Sequence, residues 1–237
     1  MKTFLAKIRS FLIERTILAL SILACVGVVA VVWHLSRLSS ELIEKTAIQG
    51  SARYAQAITE FRSLYTSEVV TRAKAQGMTI THDYKTREGA IPLPATLSML
   101  LGNRLEQVSA GGAFRLYSDY PFPWRTDGGP GDTFEREALR QLRAQPDVPY
   151  YRFEERNGKK VLRYATADLM RPSCIRCHNS HADSPKTDWK VGDVRGVLSI
   201  THPMESIITE TYQGLAETFG LLIGLLGIGL GGVALVI

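Results

Sequence analysis

The stretch Tyr150-Tyr-Arg-Phe-Glu-Glu-Arg-Asn-Gly-Lys-Lys-Val-Leu-Arg-Tyr-Ala-Thr-Ala167 decides the class of fold. Two strand-like runs, Tyr150–Glu155 and Lys160–Ala167, flank the dipeptide Asn157-Gly158. This dipeptide is typical of a two-residue hairpin turn, because both of its residues adopt positive φ readily. The pattern predicts an antiparallel hairpin, and the run Arg195–Thr201 predicts a further strand that closes the sheet.

Upstream of the hairpin the sequence is mainly helical. Ser36–Gln76 contains no proline and a single glycine, which predicts a long helix that Gly77 ends. Shorter helices are predicted for Pro94–Leu105 and, capped by Asp132, as far as Arg143, with a strand at Ala113–Ser118 between them. Helices combined with an antiparallel hairpin and a closing strand predict one α+β domain. The predicted arrangement, a curved antiparallel sheet with short helices over one face, resembles a PAS-like sensory domain.

The long helix carries apolar residues at a spacing of three to four, so one side of it needs a partner surface. We expect this side to pack on the same domain, and a seam between two copies of the chain is an alternative compatible with that packing. The apolar positions are Leu35, Leu38, Leu42, Tyr54, Ile58, Phe61, Tyr65 and Val69.

Composition narrows the classes of protein. Of 237 residues, 45% are apolar and 22% charged, which excludes a fully disordered protein, and three cysteines exclude a disulfide-built miniprotein. The formal charge of +5 is concentrated before residue 34. Because the rest of the chain is nearly neutral, it has no basic stripe to follow a phosphate backbone, and we expect no nucleic-acid partner. The charged residues of the first part are Lys2, Lys7, Arg9, Glu14 and Arg15.

Two uncharged stretches, Thr16–Trp33 and Thr218–Ile237, lie near the ends of the chain. Each is long enough to cross a hydrocarbon layer of ~30 Å at ~1.5 Å per residue. Because basic residues precede the first stretch, the positive-inside rule places residues 1–15 in the cytoplasm. Residues 16–33 and 218–237 are then two transmembrane helices that flank an extracytoplasmic domain of residues 34–217. This organisation predicts a bacterial inner-membrane protein whose domain lies in the periplasm.

Three alternatives to this topology fit the sequence less well. A cleavable signal peptide ends in small residues, whereas Val28–Trp33 is bulky. A lipoprotein anchor at Cys25 is compatible with the preceding Ile22-Leu23-Ala24, but would leave apolar residues exposed at the new N-terminus. A buried helix of a soluble protein explains one such stretch better than two, and the glycines of the second stretch favour close packing in lipid.

The chemistry of the chain is concentrated in Cys174-Ile175-Arg176-Cys177-His178, between the hairpin and the last strand. This is the C-x-x-C-H attachment sequence of a c-type haem. Two thiols three residues apart reach the two vinyl groups of one porphyrin, and the next residue supplies an axial imidazole to the iron. We therefore expect one covalent haem c, attached through Cys174 and Cys177 on a turn, with His178 as the proximal ligand.

Two other interpretations of the same residues stay open. The two cysteines are typical of a disulfide in an oxidising compartment, and with His178 or His181 they are candidate zinc ligands. The chain lacks a second cysteine pair for a common zinc site, and no βαβ pattern precedes the motif as in thioredoxin-like proteins. Cys174 and Cys177 are also the only cysteines outside the predicted membrane spans, on the side where c-type haem is attached.

Several runs around the motif are distinctive: Tyr54-Ala-Gln-Ala-Ile-Thr-Glu60, Tyr65-Thr-Ser-Glu68, Ile91-Pro-Leu-Pro-Ala-Thr96, Tyr117-Ser-Asp-Tyr-Pro-Phe-Pro-Trp-Arg125, Phe134-Glu-Arg-Glu-Ala-Leu139, Leu162-Arg-Tyr-Ala165 and Cys177-His-Asn-Ser-His-Ala-Asp-Ser-Pro-Lys-Thr-Asp-Trp-Lys-Val-Gly-Asp-Val-Arg-Gly-Val197. They resemble the Tll-type c-type haem domain family over roughly residues 50–205. The resemblance implies a PAS-like fold, one covalent haem and a sensory input module, in a family where such modules often precede cytoplasmic kinase or cyclase outputs.

By matching position, the resemblance implies that Cys174 and Cys177 are the thioether anchors and His178 the proximal ligand. Some members are thought to use a cysteine thiolate on the other side of the iron. The chain departs from them there, because Cys25 lies in a predicted span. Our first choice for the distal ligand is His82, with an open or water-bound position as the alternative. Further candidates are Met78, His181, His202 and Met204, while His34 is expected at the membrane interface.

Two larger sets complete the predicted site. Basic residues are candidates for pairing with the two haem propionates, and aromatic residues are candidates for the wall of the haem pocket. The basic set is Arg171, Arg176, Lys186 and Lys190, and the aromatic set is Tyr117, Tyr120, Phe122, Trp124 and Trp189.

The function predicted from these features is a membrane-anchored haem sensor that responds to redox state or to a diatomic gas. Its signal would pass through the membrane helices to a signalling partner or an output domain, and a homodimer is expected. The alternative function is a membrane-anchored monohaem electron carrier, and a third is an adhesion or scaffolding domain with a disulfide at 174–177. The chain has no phosphate-binding loop or nucleophile elbow, so we do not expect an enzyme.

Overall fold

The structure is a computed structural model that describes residues 2–108 and 113–236. The chain divides into two compact units, one of residues 46–205 and one of residues 1–45 with 206–237. In chain order the helices are α1 (Lys2–Leu64), α2 (Thr71–Ala75), α3 (Pro94–Val108), α4 (Thr133–Ala144), α5 (Pro172–His178) and α6 (Glu205–Val236). The strands are β1 (Thr79–Thr81), β2 (Ala90–Pro92), β3 (Ala113–Tyr117), β4 (Tyr150–Arg156), β5 (Lys159–Leu169) and β6 (Val194–Pro203).

Strands β3 to β6 form one antiparallel sheet in the order β3-β6-β5-β4. The β4–β5 hairpin pairs Arg156 with Lys159, so that Asn157 and Gly158 form a two-residue turn. Their φ angles are 53° and 74°, as a type I′ turn requires. The predicted hairpin, the closing strand and the α+β class are therefore confirmed.

Helix α4 covers one face of this sheet. Its N-terminus is capped as predicted, because the Asp132 carboxylate accepts a 3.0 Å hydrogen bond from the backbone N–H of Glu135. Apolar residues recur along one side of α4 and pack against residues of β3, β5 and β6. The core between helix and sheet consists of Tyr117, Phe134, Ala138, Leu139, Leu142, Ala165 and Val197.

The opposite face of the sheet packs against α3 and carries an acidic residue that binds the long helix. A Cβ atom on Gly102 of α3 would lie 2.4 Å from the ring of Phe114, so the absence of a side chain there permits the close packing. Asp168 of β5 shares this face with the buried Leu162, because the two residues are an even number of positions apart in the strand. Its carboxylate forms an ion pair with Arg62 of α1.

The pairing of β5 with β6 changes register beside Asp168. Asp168 pairs with Gly196, whereas the next residue of β5 pairs with Val194, which leaves Arg195 as an extra residue in β6. Regular alternation would place Arg195 on the α4 face, because it lies two residues before Val197. The β-bulge instead turns its side chain to the opposite face, where it binds Asp168.

The predicted long helix is present with two differences. A π-helical segment, Tyr65–Val70, joins α1 to α2, and Gly77, with a φ of 76°, follows the end of the helix as predicted. Of the predicted apolar side only Ile58 is buried, whereas Leu38 and Val69 are exposed. The buried side contains small residues, which a search for large apolar side chains does not detect. Its members among the described residues are Ile43, Ala47, Ser51, Ala55, Ile58 and Arg62.

Two short strands that the sequence did not predict follow the long helix. Strands β1 and β2 pair in parallel, with Ile80 opposite Ile91. The prolines on both sides of Leu93 argue against a strand, because proline lacks a backbone N–H. Pro92, the last residue of β2, nevertheless has a carbonyl oxygen that can accept a hydrogen bond. That oxygen accepts a 2.9 Å hydrogen bond from the Tyr65 hydroxyl, which links the small sheet to the π-helical segment.

In the other unit many of the large apolar side chains that the structure describes are exposed, although Ile43 is buried. Two helical stretches, Leu18–Ala75 and Ile207–Gly229, each contain a window long and apolar enough to cross a membrane. Leu23 and Ile228 are 67% and 75% exposed within these stretches. Helices α1 and α6 continue unbroken past residues 33 and 217, so the predicted ends of the two spans remain predictions.

The first testable prediction concerns Gly196 beside the bulge. A Cβ atom there would lie 2.4 Å from the backbone oxygen of Tyr117, which is rigid because it belongs to β3. We expect Gly196→Ala to destabilise the fold by overpacking and to lower Tm by about 4–8 °C. Thermal unfolding of the detergent-solubilised chain, followed by tryptophan fluorescence, measures the change.

Gly129→Ala is the matched control, because a Cβ atom at Gly129 meets nothing within 4 Å. It should change Tm by no more than about 2 °C. Equal Tm values for the two variants would contradict the close approach of β6 to β3.

Candidate functional site

The C-x-x-C-H motif lies on the short helix α5 rather than on the predicted turn. Arg171 before it is extended and Pro172 occupies the first helical position, where proline is favoured because its missing N–H is not needed. Cys174 and Cys177 are one helical turn apart and therefore lie on the same side of α5. Cys174 is half-buried, Cys177 is exposed, and both are free thiols.

Helix α5 forms part of the wall of a cavity of about 1210 Å³ within residues 46–205. Ligand-binding pockets in proteins commonly measure ~300–1,000 Å³, so this cavity accepts a group as large as a macrocycle. Thr66 and Val70 of the π-helical segment, together with Met99 of α3, also line the cavity. Both cysteines and His178 contribute to the lining.

The cavity has a strongly basic lining. Among the described residues that line it, six carry a positive charge and one, Asp168, carries a negative charge. An excess of guanidinium groups in a partly enclosed space favours an anionic ligand, and carboxylates pair with arginine best. The basic residues are Arg62, Lys74, Arg125, Arg171, Arg176 and Arg195.

Asp168 holds two of these arginines together. It is 4% exposed, and its carboxylate accepts hydrogen bonds from Arg62 on one side and Arg195 on the other. The bond from Arg195 Nε is 3.0 Å long. Burial alone would raise the pKa of Asp168, but the guanidinium groups of Arg195 and Arg62 lower it to about 2. The carboxylate therefore stays ionised at neutral pH and balances part of the buried positive charge.

The same Arg195 guanidinium reaches the imidazole of His178. Its Nη1 lies 3.1 Å from Nε2 of His178, and since a guanidinium only donates hydrogen bonds, Nε2 is the acceptor. Burial, and next the charge of Arg195, lower the pKa of His178 to about 4. The imidazole is therefore neutral at pH 7, with its lone pair on Nε2, which is the form that binds metal ions.

An aromatic cluster stands next to this imidazole. The Phe122 ring centre is 5.3 Å from that of His178 and 4.5 Å from that of Trp124, on which it stacks. His82 stacks on Trp124 with ring centres 4.2 Å apart and planes 3° apart. His181 meets the edges of the same rings, 5.5 Å from both Phe122 and Trp124.

The structure brings most of the predicted site residues to the cavity, while the others lie outside its lining. Among the described lining residues are Cys174, Cys177, His178, Met78, His181, Arg171, Arg176, Tyr117, Tyr120, Phe122 and Trp124. Predicted residues that are not among them are His82, His202, Met204, Lys186, Lys190, Trp189 and His34. His82 reaches the site only through its stacking on Trp124, so its assignment as distal ligand stays a prediction.

Some of the predicted residues outside the lining have other partners. Lys186 forms an ion pair with Asp188, and its Nζ lies 4.9 Å from the Trp189 ring centre. Trp189 packs edge-on against the lining residue Tyr120, with the two ring centres 5.6 Å apart. In the part of the chain that the structure describes, no three His, Cys, Asp or Glu side chains converge on a metal-ion site.

Residues that the sequence analysis missed are Arg62, Arg125, Asp168, Arg195 and Met99. Arg62 could have been found from the sequence, because it lies four residues after Ile58 on the same side of α1. A charged residue on the buried side of a helix indicates a buried partner of opposite charge. Arg195 could not have been found in this way, because the alternation of side chains along β6 predicts that it lies on the other face of the sheet. Arg125 is held at the cavity wall by a 2.6 Å hydrogen bond from its Nη2 to the Leu116 carbonyl oxygen.

Comparison with known proteins identifies the family of the chain. The sequence profile of the Tll0287-like family matches residues 40–203, which is more than half of the chain. The chain belongs to the Tll0287-like family. No curated protein and no solved structure matches the sequence. The resemblance inferred from the sequence is thus confirmed at the level of the family, and every lining residue of the cavity lies within the Tll0287-like region.

The second testable prediction concerns the carboxylate at the centre of this Tll0287-like site. Asp168→Asn leaves two buried arginines without a counter-charge, so we expect the free energy of unfolding to fall by about 3–5 kcal/mol at pH 7. The pKa of Asp168 is about 2 in the folded chain and ~3.9 in an unfolded one. The stabilisation of the fold by the ionised Asp168 carboxylate is therefore complete above about pH 4 and is lost as the pH falls through about 2.

Denaturant unfolding of wild type and variant between pH 7 and pH 2 tests both statements. The difference in free energy should be constant above about pH 4 and shrink below it. Asp119→Asn is the control, since its ion pair with Arg143 is 40% exposed at both side chains, and it should cost at most about 1 kcal/mol. A constant difference down to pH 2 would show that Asp168 is not the titrating group.

Proposed function

We propose that the chain is a membrane-anchored, extracytoplasmic c-type haem sensor. One observation carries this proposal: both thiols of the C-x-x-C-H motif and a neutral His178 imidazole line a single large, basic cavity. A disulfide or a zinc site would need neither the volume nor the excess of arginines. A covalent porphyrin with two propionates uses both features.

The chain's own residues fit such a group in four ways. Cys174 and Cys177 offer free thiols on one side of α5 for thioether bonds, and His178 offers Nε2 as an axial donor. Arg171 and Arg176 lie on the same wall and are candidates for the propionates. The rings of Phe122 and Trp124 beside His178 would give the bound group an apolar wall. When bound, the haem iron would supply a centre that changes oxidation state and takes small diatomic ligands.

Sensing requires that an event in the cavity reach another part of the protein. The cavity is lined by α1 and by the π-helical segment that continues it, and α1 contains the first candidate membrane span. We therefore propose that α1 and α6 cross the membrane, that the PAS-like sheet domain is periplasmic, and that a second copy or a signalling partner reads the helices. The alternative, a monohaem electron carrier, is favoured by the exposure of Cys177, which would bring one edge of the haem to solvent.

The third testable prediction concerns haem attachment. Full-length chain made together with a cytochrome c maturation system should show c-type haem absorbance that survives denaturation, because the bond is covalent. Cys174→Ser and Cys177→Ser should each remove or halve the attachment, whereas Cys25→Ser, the matched control, should leave it unchanged. Absorption spectra of the purified variants measure the result, and a colourless wild type would overturn the proposal.

The same preparation separates the sensor from the electron carrier. A sensor of gas ligands should show a changed absorption spectrum when carbon monoxide or nitric oxide is added to the reduced protein, and a sensor of redox state should exchange one axial ligand of the iron on reduction. An electron carrier keeps the same two strong axial ligands and binds neither gas. Spectra that respond to reductant but to neither gas, combined with rapid electron exchange with a redox partner, would favour the carrier.

The fourth testable prediction concerns topology. In a background of Cys25→Ser, Cys174→Ser and Cys177→Ser, a cysteine introduced as Glu88→Cys should react with a membrane-impermeant maleimide in intact spheroplasts. Glu88 is exposed and lies in the domain predicted to be periplasmic. A cysteine introduced as Lys7→Cys should react only after permeabilisation. Labelling in the reverse order would contradict the positive-inside orientation.

A further inference from the structure

We propose that Arg195 is a positioning residue that couples ligation at His178 to helix α1 through Asp168 and Arg62. The inference rests on the proposed function, since it requires an iron atom at Nε2 of His178. It goes beyond that function by naming the side chains through which an event in the cavity reaches the long helix.

The coupling begins with one nitrogen atom. In a neutral imidazole Nε2 has a single lone pair, and that lone pair accepts the 3.1 Å hydrogen bond from Arg195 Nη1. The same lone pair forms the bond to iron in an axial histidine. Nε2 therefore binds either Arg195 or iron, and ligation must release Nη1 from His178.

The released guanidinium remains attached to Asp168. Arg195 Nε and Nη2 both donate to Oδ2 of Asp168, so a turn of the planar group changes both bonds together. Arg62 Nη1 donates to the same Oδ2 at 3.3 Å, and Arg62 Nη2 donates to Oδ1. Because the two arginines share one carboxylate, a change at Arg195 alters the partners of Arg62.

Arg62 transmits the change because it belongs to α1 and directly precedes an unusual piece of helix. The π-helical segment Tyr65–Val70 begins three residues later, and its Thr66 and Val70 line the cavity. Such segments, with i→i+5 hydrogen bonds, are rare and frequently lie at functional sites. Arg62 is therefore placed where a small shift can change the balance between two local helix geometries.

The bulge explains why Arg195 alone has this position. In a regular strand its side chain would join the α4 face, away from both His178 and Asp168. The extra residue turns it to the cavity, and Gly196, which directly follows it, allows β6 to approach the backbone of Tyr117. The guanidinium of Arg195 is thus in contact both with His178, the predicted haem ligand, and with Asp168, which binds Arg62 of the long helix.

The fifth testable prediction uses amide hydrogen exchange of the full chain, with and without haem. The segment reported is residues 51–61 of α1, none of which is among the described residues that line the cavity. A change there cannot come from direct contact with a ligand in the cavity. In wild type we expect haem loading to change exchange in this segment roughly tenfold, within the range typical of coupled sites.

Arg195→Lys is the main variant. Lysine keeps the charge beside Asp168 but has no planar fork to bind Asp168 and His178 together, so haem loading should leave exchange in residues 51–61 unchanged. Arg62→Lys interrupts the same connection at the helix and should have the same effect, which keeps the test available if Arg195→Lys fails to fold. Arg156→Lys is the control, because Arg156 pairs with Asp132 and Glu154, and it should respond to haem as wild type does.

The mass of each protein shows whether haem is attached, so the two proposals fail in different ways. A wild-type chain that takes up no haem overturns the proposed function and with it this inference. Attached haem without a change in residues 51–61, or the same change in Arg195→Lys and Arg62→Lys as in wild type, overturns the coupling alone.

Discussion

The buried carboxylate of Asp168 is the constraint on which the rest of the site depends. It is the one acidic side chain among the described residues that line the cavity, and it holds Arg62 of the long helix and Arg195 of the last strand on either side of it. Two guanidinium groups brought this close would repel each other without a shared counter-charge. Asp168 therefore permits the cavity to be basic, and burial together with the charge of Arg195 keeps the His178 imidazole neutral.

The second constraint is a matter of strand geometry. A single extra residue in β6 moves Arg195 from one face of the sheet to the other, and a missing side chain at Gly196 allows the strand to pass the backbone of Tyr117. Helix α5 then begins directly after β5 and presents the two cysteines and His178 to the same space. The residues of the site are thus brought together where the regular pairing of β5 with β6 ends.

Much of the fold could be predicted from local signals, because those signals act over a few residues. Asn157-Gly158 gave the hairpin through its positive φ angles, Asp132 gave the start of α4 through its cap, and Gly77 gave the end of the long helix. The parallel pairing of β1 with β2 left no such signal, since it joins two three-residue strands through tertiary contacts. The same holds for Arg195, whose position depends on a bulge that no alternation pattern reveals.

The site residues likewise divide into those that the sequence could predict and those that it could not. The sequence motif predicted Cys174, Cys177 and His178 because their chemistry is tied to a fixed spacing, whereas Arg125 and Met99 reach the cavity only through folding. The central claim is that these thiols and this imidazole hold one haem. The mass of a proteolytic peptide that contains residues 174–178, from full-length chain made with maturation factors, tests it most directly. The account predicts the peptide plus one covalently bound haem; a bare or disulfide-bonded peptide would contradict it.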